Sequence, residues 1–532
     1  MKGFYDKFPR VLKNALENIY GIIAEPPLWE LSSRREFGDL SSMVALKLAS
    51  RIKKNPMEIA AELKPYLEKN LKGFSEKIDI LKPGFINVFL SKDSLIESLN
   101  SVLTEKDCFF KNKGKRKVLI EFLSANPTGP LTVAHGRQAV VGDVIANILE
   151  FWGDEVEREY YLNDTGRQID LFRESVKKAV DAKDRGSEYV APEGGYRGDY
   201  IKEIAHRYLH NGINSDILEY SLSEMISSIK EDVKNLGIKF DSWFSQNNLV
   251  EKGKVEEAID FLSEKGLIYE KDEALWFSAT AFGDDKDRVI KKSDGELTYF
   301  ASDIAYHKDK IERGYDKLID LWGPDHHGYI KRVKTALKAM GYEEEILEVV
   351  IIQLVSLKSK ERMSKRAGTA ISLSQLIKEL GKDTTRFYYL TRKNDSHLEF
   401  DMDLARQATF NNPLYYIQYV CARIESIFRK AGKYESDPRY SNLLSEEEEI
   451  NLLRSLVRFP YYLEKAYCSL EPVFIIEFLK DLSSAFHKFY ECQRVLVEDS
   501  SVMKARLNLL KSLKITLHCA LGILGIRPVE EM

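Results

Sequence analysis

His135 stands in the run Val118-Leu-Ile-Glu-Phe-Leu-Ser-Ala-Asn-Pro-Thr-Gly-Pro-Leu-Thr-Val-Ala-His-Gly-Arg137, whose pattern indicates what an imidazole there can do. Apolar residues up to Leu123 break at Ser124 into a Pro/Gly turn, and a helical pattern restarts near Val133. A loop feeding a helix N-terminus offers unpaired backbone N–H groups and the positive end of the helix dipole, which suits nucleotide phosphates. Much later, Lys360-Glu-Arg-Met-Ser-Lys-Arg-Ala-Gly368 follows a second apolar strand, expected over Leu347 to Leu357, and its Gly-ended series of positive charges suits closure over a polyphosphate. Glu121 lies inside the apolar Leu119–Leu123 stretch. A carboxylate there is hard to bury without a partner.

The elements that must position these residues alternate from Val118 to about Phe400 as in a Rossmann-like, doubly wound α/β domain, whose ligand site lies at the carboxyl ends of the strands. A helix over Val140–Phe151 leads to a second strand at Glu157–Leu162, then to the polar turn Asn163-Asp-Thr-Gly-Arg-Gln168, which should cap the next helix. Residues 171–290 read as a mostly helical insertion. The sheet is expected to resume with strands at Leu297–Ile304 and Lys317–Trp322. His326 and His327 are adjacent and so point in different directions, with no third ligand at helical spacing, and no metal site is expected.

Two further units flank this domain. Residues 1–110 read as an α+β domain, with helices over Phe8–Ile22 and Met43–Ile52, a break at Pro26-Pro27, another helix reaching Leu67, and two strands within Ile78–Leu90 around Lys82-Pro-Gly84. A basic linker, Lys111–Lys117, opens the α/β domain over 111–400. Residues 401–532 read as a helix bundle, with Leu414, Ile417, Val420, Ile424, Ile427 and Phe428 on one apolar face.

With 532 residues the chain is too long for one ordinary core. Hydrophobic residues at 44% and charged residues at 30% mark it as globular, and no apolar run is long enough to span a bilayer. The N-terminus lacks an apolar h-region, so a cytoplasmic protein is expected. Five scattered cysteines without a CxxC pair argue against a disulfide framework and are read as buried thiols. A net charge of -4 excludes only a uniformly basic nucleic-acid binder, because screening lets a local stripe act by itself.

The His135 turn and the Lys360–Gly368 loop resemble the His-x-Gly-His and Lys-Met-Ser-Lys signatures of class I aminoacyl-tRNA synthetases. Ser124–Gly129, Tyr160–Asp164, Asp284–Val289, Thr298–His307, Trp322–Gly328 and Arg362–Gly368 narrow the resemblance, over essentially the whole chain, to arginyl-tRNA synthetases of the bacterial type. The resemblance implies that arginine is activated with ATP and Mg²⁺, with no permanently bound cofactor, and passed to the 3′-terminal adenosine of tRNA(Arg), most simply by a monomer. It assigns catalysis to His135, Thr132 and Lys365, and ATP binding to Pro130, Ala134, His135, Gly136, Arg362, Met363, Ser364 and Lys365. Arginine falls to Glu121, Ser124, Asn126, Tyr299 and Asp303, since carboxylates pair with a planar guanidinium. Glu36-Phe-Gly-Asp39 and Pro83–Asn87 resemble the tRNA-contacting N-terminal domain, and Tyr416, Tyr419, Arg423 and Met532 resemble an anticodon-binding surface, where tyrosine rings beside a cation suit splayed bases. Thr132 and Ala134 depart from the first His and the Gly of the signature, and Arg362 replaces its first Lys. The alternative they motivate is a tRNA-binding paralogue with a weakened active site.

Overall fold

The computed structural model describes residues 4–23, 29–32, 34–111, 114–211, 215–358 and 371–532. The Pro26-Pro27 break, residues 112–113 of the basic linker and the whole Lys360–Gly368 stretch lie outside the described residues.

The first unit packs helices Phe4–Tyr20, Val44–Ile52 and Pro56–Asn70 on an antiparallel sheet ordered Glu30–Leu31, Leu40–Ser42, Phe85–Leu90, Ser75–Leu81. Asp39 of the Glu36–Asp39 pattern is buried and accepts from Leu90 N–H at 2.8 Å. Gly38 is tightly constrained, because a Cβ there would meet Val88 O at 2.7 Å. The unit rests on the C-terminal helices through Arg35–Glu447 (2.6 Å) and Arg454–Asp39 (3.5 Å).

The central unit holds a five-stranded parallel sheet in the order Leu347–Ile351, Lys317–Trp322, Lys117–Glu121, Glu155–Leu162, Ser242–Ser245. Val118, Leu119 and Ile120 are all buried, as befits a middle strand covered on both faces. The helix Val133–Trp152, which carries His135, crosses the sheet so closely that a Cβ on Gly142 would stand 2.2 Å from the Phe122 ring. Gly142→Ala is therefore expected to destabilise the protein by about 1–3 kcal/mol, read as a lower denaturant midpoint. An unchanged midpoint would show that the helix can lift off the sheet without cost.

Four expectations are corrected. Leu297–Ile304 is not a strand: Thr298 bonds Val289 O and Ile290 O through its hydroxyl, and a helix runs from Tyr299 to Glu312. The run Leu347–Leu357 is two strands, Leu347–Ile351 in the main sheet and Val355–Lys358 paired with Leu398–Asp401. The insertion is less helical than expected. After helices Arg167–Asp184, Asp199–His210 and Ile217–Asn235 it supplies the edge strand Ser242–Ser245 and a separate antiparallel sheet of Ile268–Lys271, Ala274–Phe277 and Arg288–Lys291. Lastly, Cys421 is buried, but Cys468 and Cys492 are exposed and Cys519 is half-buried. Cysteine is small enough for a helix to carry it on either face, so residue type alone did not place them.

Helices Pro413–Ala431, Glu447–Leu456, Phe459–Ser469, Val473–Cys492 and Ser500–Ile523 form the C-terminal bundle, with Leu414, Ile417, Val420, Ile424 and Ile427 buried and Phe428 packed against that core. Arg386, on the helix Lys382–Tyr389, joins three parts of the chain. It donates to Asp143 (2.5 Å), to Leu236 O of the insertion (3.0 Å) and to Leu524 O of the bundle (2.8 Å). Gly525 at φ 69° follows this contact, and a Cβ there would lie 2.4 Å from the guanidinium. Among the described residues no helix is long and apolar enough to cross a membrane.

Candidate active site

The strand order reverses beside Lys117–Glu121: later strands add first on the Glu155–Leu162 side, then on the Lys317–Trp322 side. Loops leaving a parallel sheet at such a point diverge and open a crevice. A cleft of about 790 Å³ lies there, lined by Glu121, Ser124, Asn126, Ala134, His135, Tyr299 and Asp303 among others. All five residues assigned to arginine thus meet in one place, with His135 and Ala134 beside them.

The turn after Glu121 is held in an uncommon shape. Leu123 (φ 71°) and Ser124 (φ 37°) both occupy the left-handed region without being glycine, which costs on the order of 1–3 kcal/mol each. That bend brings Ser124 Oγ back to donate to Glu121 (2.9 Å) while accepting from Tyr161 N–H (3.1 Å). Three tyrosyl hydroxyls then fasten successive carbonyls: Tyr160 to Ala125 O (2.7 Å), Tyr200 of the insertion to Thr128 O (2.7 Å) and Tyr389 to Val133 O (2.8 Å). Asn126 donates to Gln168 at 2.6 Å.

His135 sits in the first turn of its helix, where Nδ1 accepts the Thr132 N–H at 3.1 Å. Burial pushes its pKa below the ordinary value. The imidazole is therefore neutral near pH 7, and because Nδ1 accepts, Nε2 carries the proton. Pro130, Thr132 and Gly136 stand outside the cleft lining. Pro130 is exposed, Thr132 begins the helix and bridges to Ser372, and Gly136 admits the close approach of Leu373 and Tyr389. They shape the turn. Ala134 is exposed at the cleft, where its methyl finds room. Arg362, Met363, Ser364 and Lys365 lie outside the described residues.

Asp303 accepts a hydrogen bond from Tyr329, and burial pushes its carboxyl above the usual range. Tyr299, one turn earlier, is 60% exposed at the rim. The same helix face carries residues that sequence reasoning missed. Tyr306, His307 and Lys310 follow Asp303 at three, four and seven positions, the spacing of one stripe. Lys310 Nζ lies 2.6 Å from Glu121 and 2.8 Å from Asp320, and His307 Nε2 lies 2.9 Å from Asp320. Burial opposes ionisation of Asp320, but Lys310 and His307 outweigh it and hold the carboxyl at about 2. For Glu121 burial prevails over Lys310, and the carboxyl is pushed up. Of the two, Glu121 is the one poised to take a proton.

On the bundle, Tyr416 stacks on His487 with centroids 4.2 Å apart, and Tyr419 lies 5.6 Å from the same ring. Arg423 lies over the Tyr419 ring and hydrogen-bonds its hydroxyl. Phe410, 54% exposed, adds an edge against Tyr419. Phe410 and His487 escaped sequence reasoning because each stands alone in its own segment. The C-terminal tail runs along the Pro413–Ala431 helix, with Gln418 bonded to Arg527 O and Val529 N–H, and ends in Met532, 59% exposed.

Three family models match successive stretches of the chain. The model for the class I (R) tRNA synthetase catalytic domain matches residues 98–404, the arginyl-tRNA synthetase N-terminal domain residues 6–90, and the DALR anticodon-binding domain residues 417–532. The arginine–tRNA ligase of Carboxydothermus hydrogenoformans is 41% identical over 525 residues, 94% of either chain. That of Aquifex aeolicus is 40% identical, over 98% of this chain and 99% of its own. The Thermus thermophilus arginyl-tRNA synthetase structure superimposes with a TM-score of 0.81 at 21% identity, covering 100% of both chains, a likeness of fold. With a catalytic-domain model over more than half its length and relatives alike from end to end, the chain belongs to the arginyl-tRNA synthetase family.

Proposed function

We propose that the cleft joins L-arginine to ATP and then charges tRNA(Arg). An arginine carboxylate oxygen attacks the α-phosphorus of Mg²⁺-bound ATP, and the bond to pyrophosphate breaks. A hydroxyl of the 3′-terminal adenosine then attacks the carbonyl carbon of the adenylate, and AMP leaves as the ester forms. The convergence of Glu121, Ser124, Asn126, Tyr299, Asp303 and His135 on one cleft carries this reading.

In it, Asp303 and Glu121 receive the guanidinium, Tyr299 covers it, and Ser124 and Asn126 take the α-amino and carboxylate end. The N–H groups of the helix that starts at Val133, together with His135 Nε2–H, face the phosphates, where a fixed donor stabilises charge that grows in the transition state. Thr132 acts through His135, by presenting the N–H that fixes its tautomer. Lys365 receives the departing pyrophosphate, a role resting on its place in the sequence. Tyr416, Tyr419, Arg423 and Met532 contact the anticodon loop. The protein works as a cytoplasmic monomer.

Purified protein offered total tRNA and each labelled amino acid in turn is expected to charge arginine alone. His135→Ala should lower kcat for charging by roughly 10²–10³-fold, the usual cost of losing one oxyanion donor, with the KM for arginine little changed. If tRNA bound but no amino acid were charged, Thr132 and Ala134 would mark a degraded site and a regulatory tRNA-binding role would replace this one.

A further inference from the structure

Lys310 is completely buried and does not line the cleft, yet both carboxylates it touches do. Those carboxylates, Glu121 and Asp320, are paired in register on neighbouring strands, so their side chains emerge side by side at the crevice. Of the neighbouring carboxylates, Asp303 accepts from Tyr329 and opens on the same cleft, whereas Glu159 is already matched by a cation. Glu159 on the next strand is held by both arms of Arg313 (2.7 and 2.8 Å) and by the Tyr306 hydroxyl (2.7 Å), and His307 takes the second oxygen of Asp320. The Tyr306 ring lies 4.2 Å from the Lys310 ammonium. Two carboxylates facing one ammonium leave one negative charge. Replacing a buried ion cluster by apolar packing is often neutral or stabilising, so fold stability alone does not call for one here.

We infer that Lys310 is a specificity-determining positioning residue for arginine. By holding one oxygen of Glu121 and one of Asp320, it opposes protonation of the pair and cancels one of its two charges, so that the pair presents one net negative charge to the incoming guanidinium, beside that of Asp303. The inference rests on the reading of Glu121 as an arginine ligand. Without the ammonium, two adjacent carboxylates cannot both stay ionised in a low-dielectric site, and one takes up a proton. The proton falls on Glu121, whose second oxygen is served, among the described residues, by the Ser124 hydroxyl. A protonated Glu121 offers the guanidinium a dipole where it needs a charge. The same balance disfavours a neutral isostere of arginine, which would leave the floor's charge unpaired.

The test is steady-state charging with Lys310→Met, which keeps the shape of the stem and removes the charge. The KM for arginine should rise by about 10–100-fold, equivalent to one or two pKa units on the liganding carboxylate, while kcat falls less and the KM for ATP stays in place. The acid limb of kcat/KM for arginine should move toward neutral pH, because raising the pH re-ionises Glu121 and restores affinity. In the double variant Lys310→Met/Asp320→Asn the competing carboxylate is gone, and the arginine KM and the acid limb should return toward wild type. A lysine that merely supports packing would leave the limb unmoved and make the double variant worse, which would overturn the inference. Glu121→Gln separates the two levels. If it leaves the arginine KM unchanged, the ligand reading itself is wrong and the inference falls with it. If it raises the KM while Lys310→Met does not, only the role of Lys310 is refuted. Should Lys310→Met fail to fold, the double variant decides: a near-wild-type KM and acid limb support the role, and a raised KM refutes it.

Discussion

Asp303→Ala is expected to lower kcat/KM for arginine by on the order of 10³-fold while leaving the KM for ATP within about twofold, since truncating one partner of a buried charge pair costs roughly 3–5 kcal/mol. Its position explains the size of the effect. Asp303 lies on the first full turn of the Tyr299–Glu312 helix, its carboxylate is fixed by Tyr329, and it opens on the same cleft as Glu121. A guanidinium docked there without it would be a cation out of water with half its partners missing. The pH profile carries the same signature. The carboxyl must be ionised to bind, burial has raised its pKa, and so affinity for arginine should decline on acidification at a pH above the ordinary carboxylate range. Steady-state charging across pH at saturating ATP and tRNA reads both. An arginine KM that moves less than about threefold in Asp303→Ala, where the pair should count for kilocalories, would remove Asp303 from the recognition site.

The second large effect concerns the joint at Arg386. Arg386→Met should destabilise the protein by about 3 kcal/mol, because two buried carbonyls lose this donor and Asp143 is left, among the described residues, with the more distant Arg158, at 3.6 Å. The three contacts of Arg386 reach the His135 helix, the insertion and the bundle. The loss should therefore appear as separation of events: in a thermal scan the bundle and the catalytic unit should unfold in two steps where the parent unfolds more nearly in one. A single transition with an unchanged midpoint would show that the apolar contacts between these units suffice.

Much of the cleft could be read before any coordinates, because its chemistry is local in sequence. A strand, a Pro/Gly turn and a helix start within twenty residues are enough to place Glu121, Ser124, Asn126 and His135 together. What stayed hidden depended on burial that sequence period does not report. Tyr299–Glu312 is buried on nearly every side through Phe300, Ala301, Ser302, Ile304, Ala305 and Tyr306, so the contrast that reveals a helix is missing and its aromatic start reads as a strand. Lys310 sits in His307-Lys308-Asp309-Lys310, which looks like a solvated charged face, and only the third dimension sets Glu121 and Asp320 over it. Ser242–Ser245 has four residues, too few to show alternation, yet it closes the sheet's edge. The run from Leu347 to Leu357 concealed a change of sheet at Gln353, whose carbonyl turns to the buried Arg137.

The left-handed bend at Leu123 and Ser124 has a consequence for how this chain can vary. Residues with a Cβ are held there in a conformation that glycine adopts freely, so a drift toward glycine at either position would relax the folded backbone while releasing the geometry that returns the Ser124 hydroxyl to Glu121. Selection for heat resistance alone and selection for charging would then part company at this corner. Substitutions that raise stability without disturbing this corner are then to be sought in the bundle or at the sheet edges.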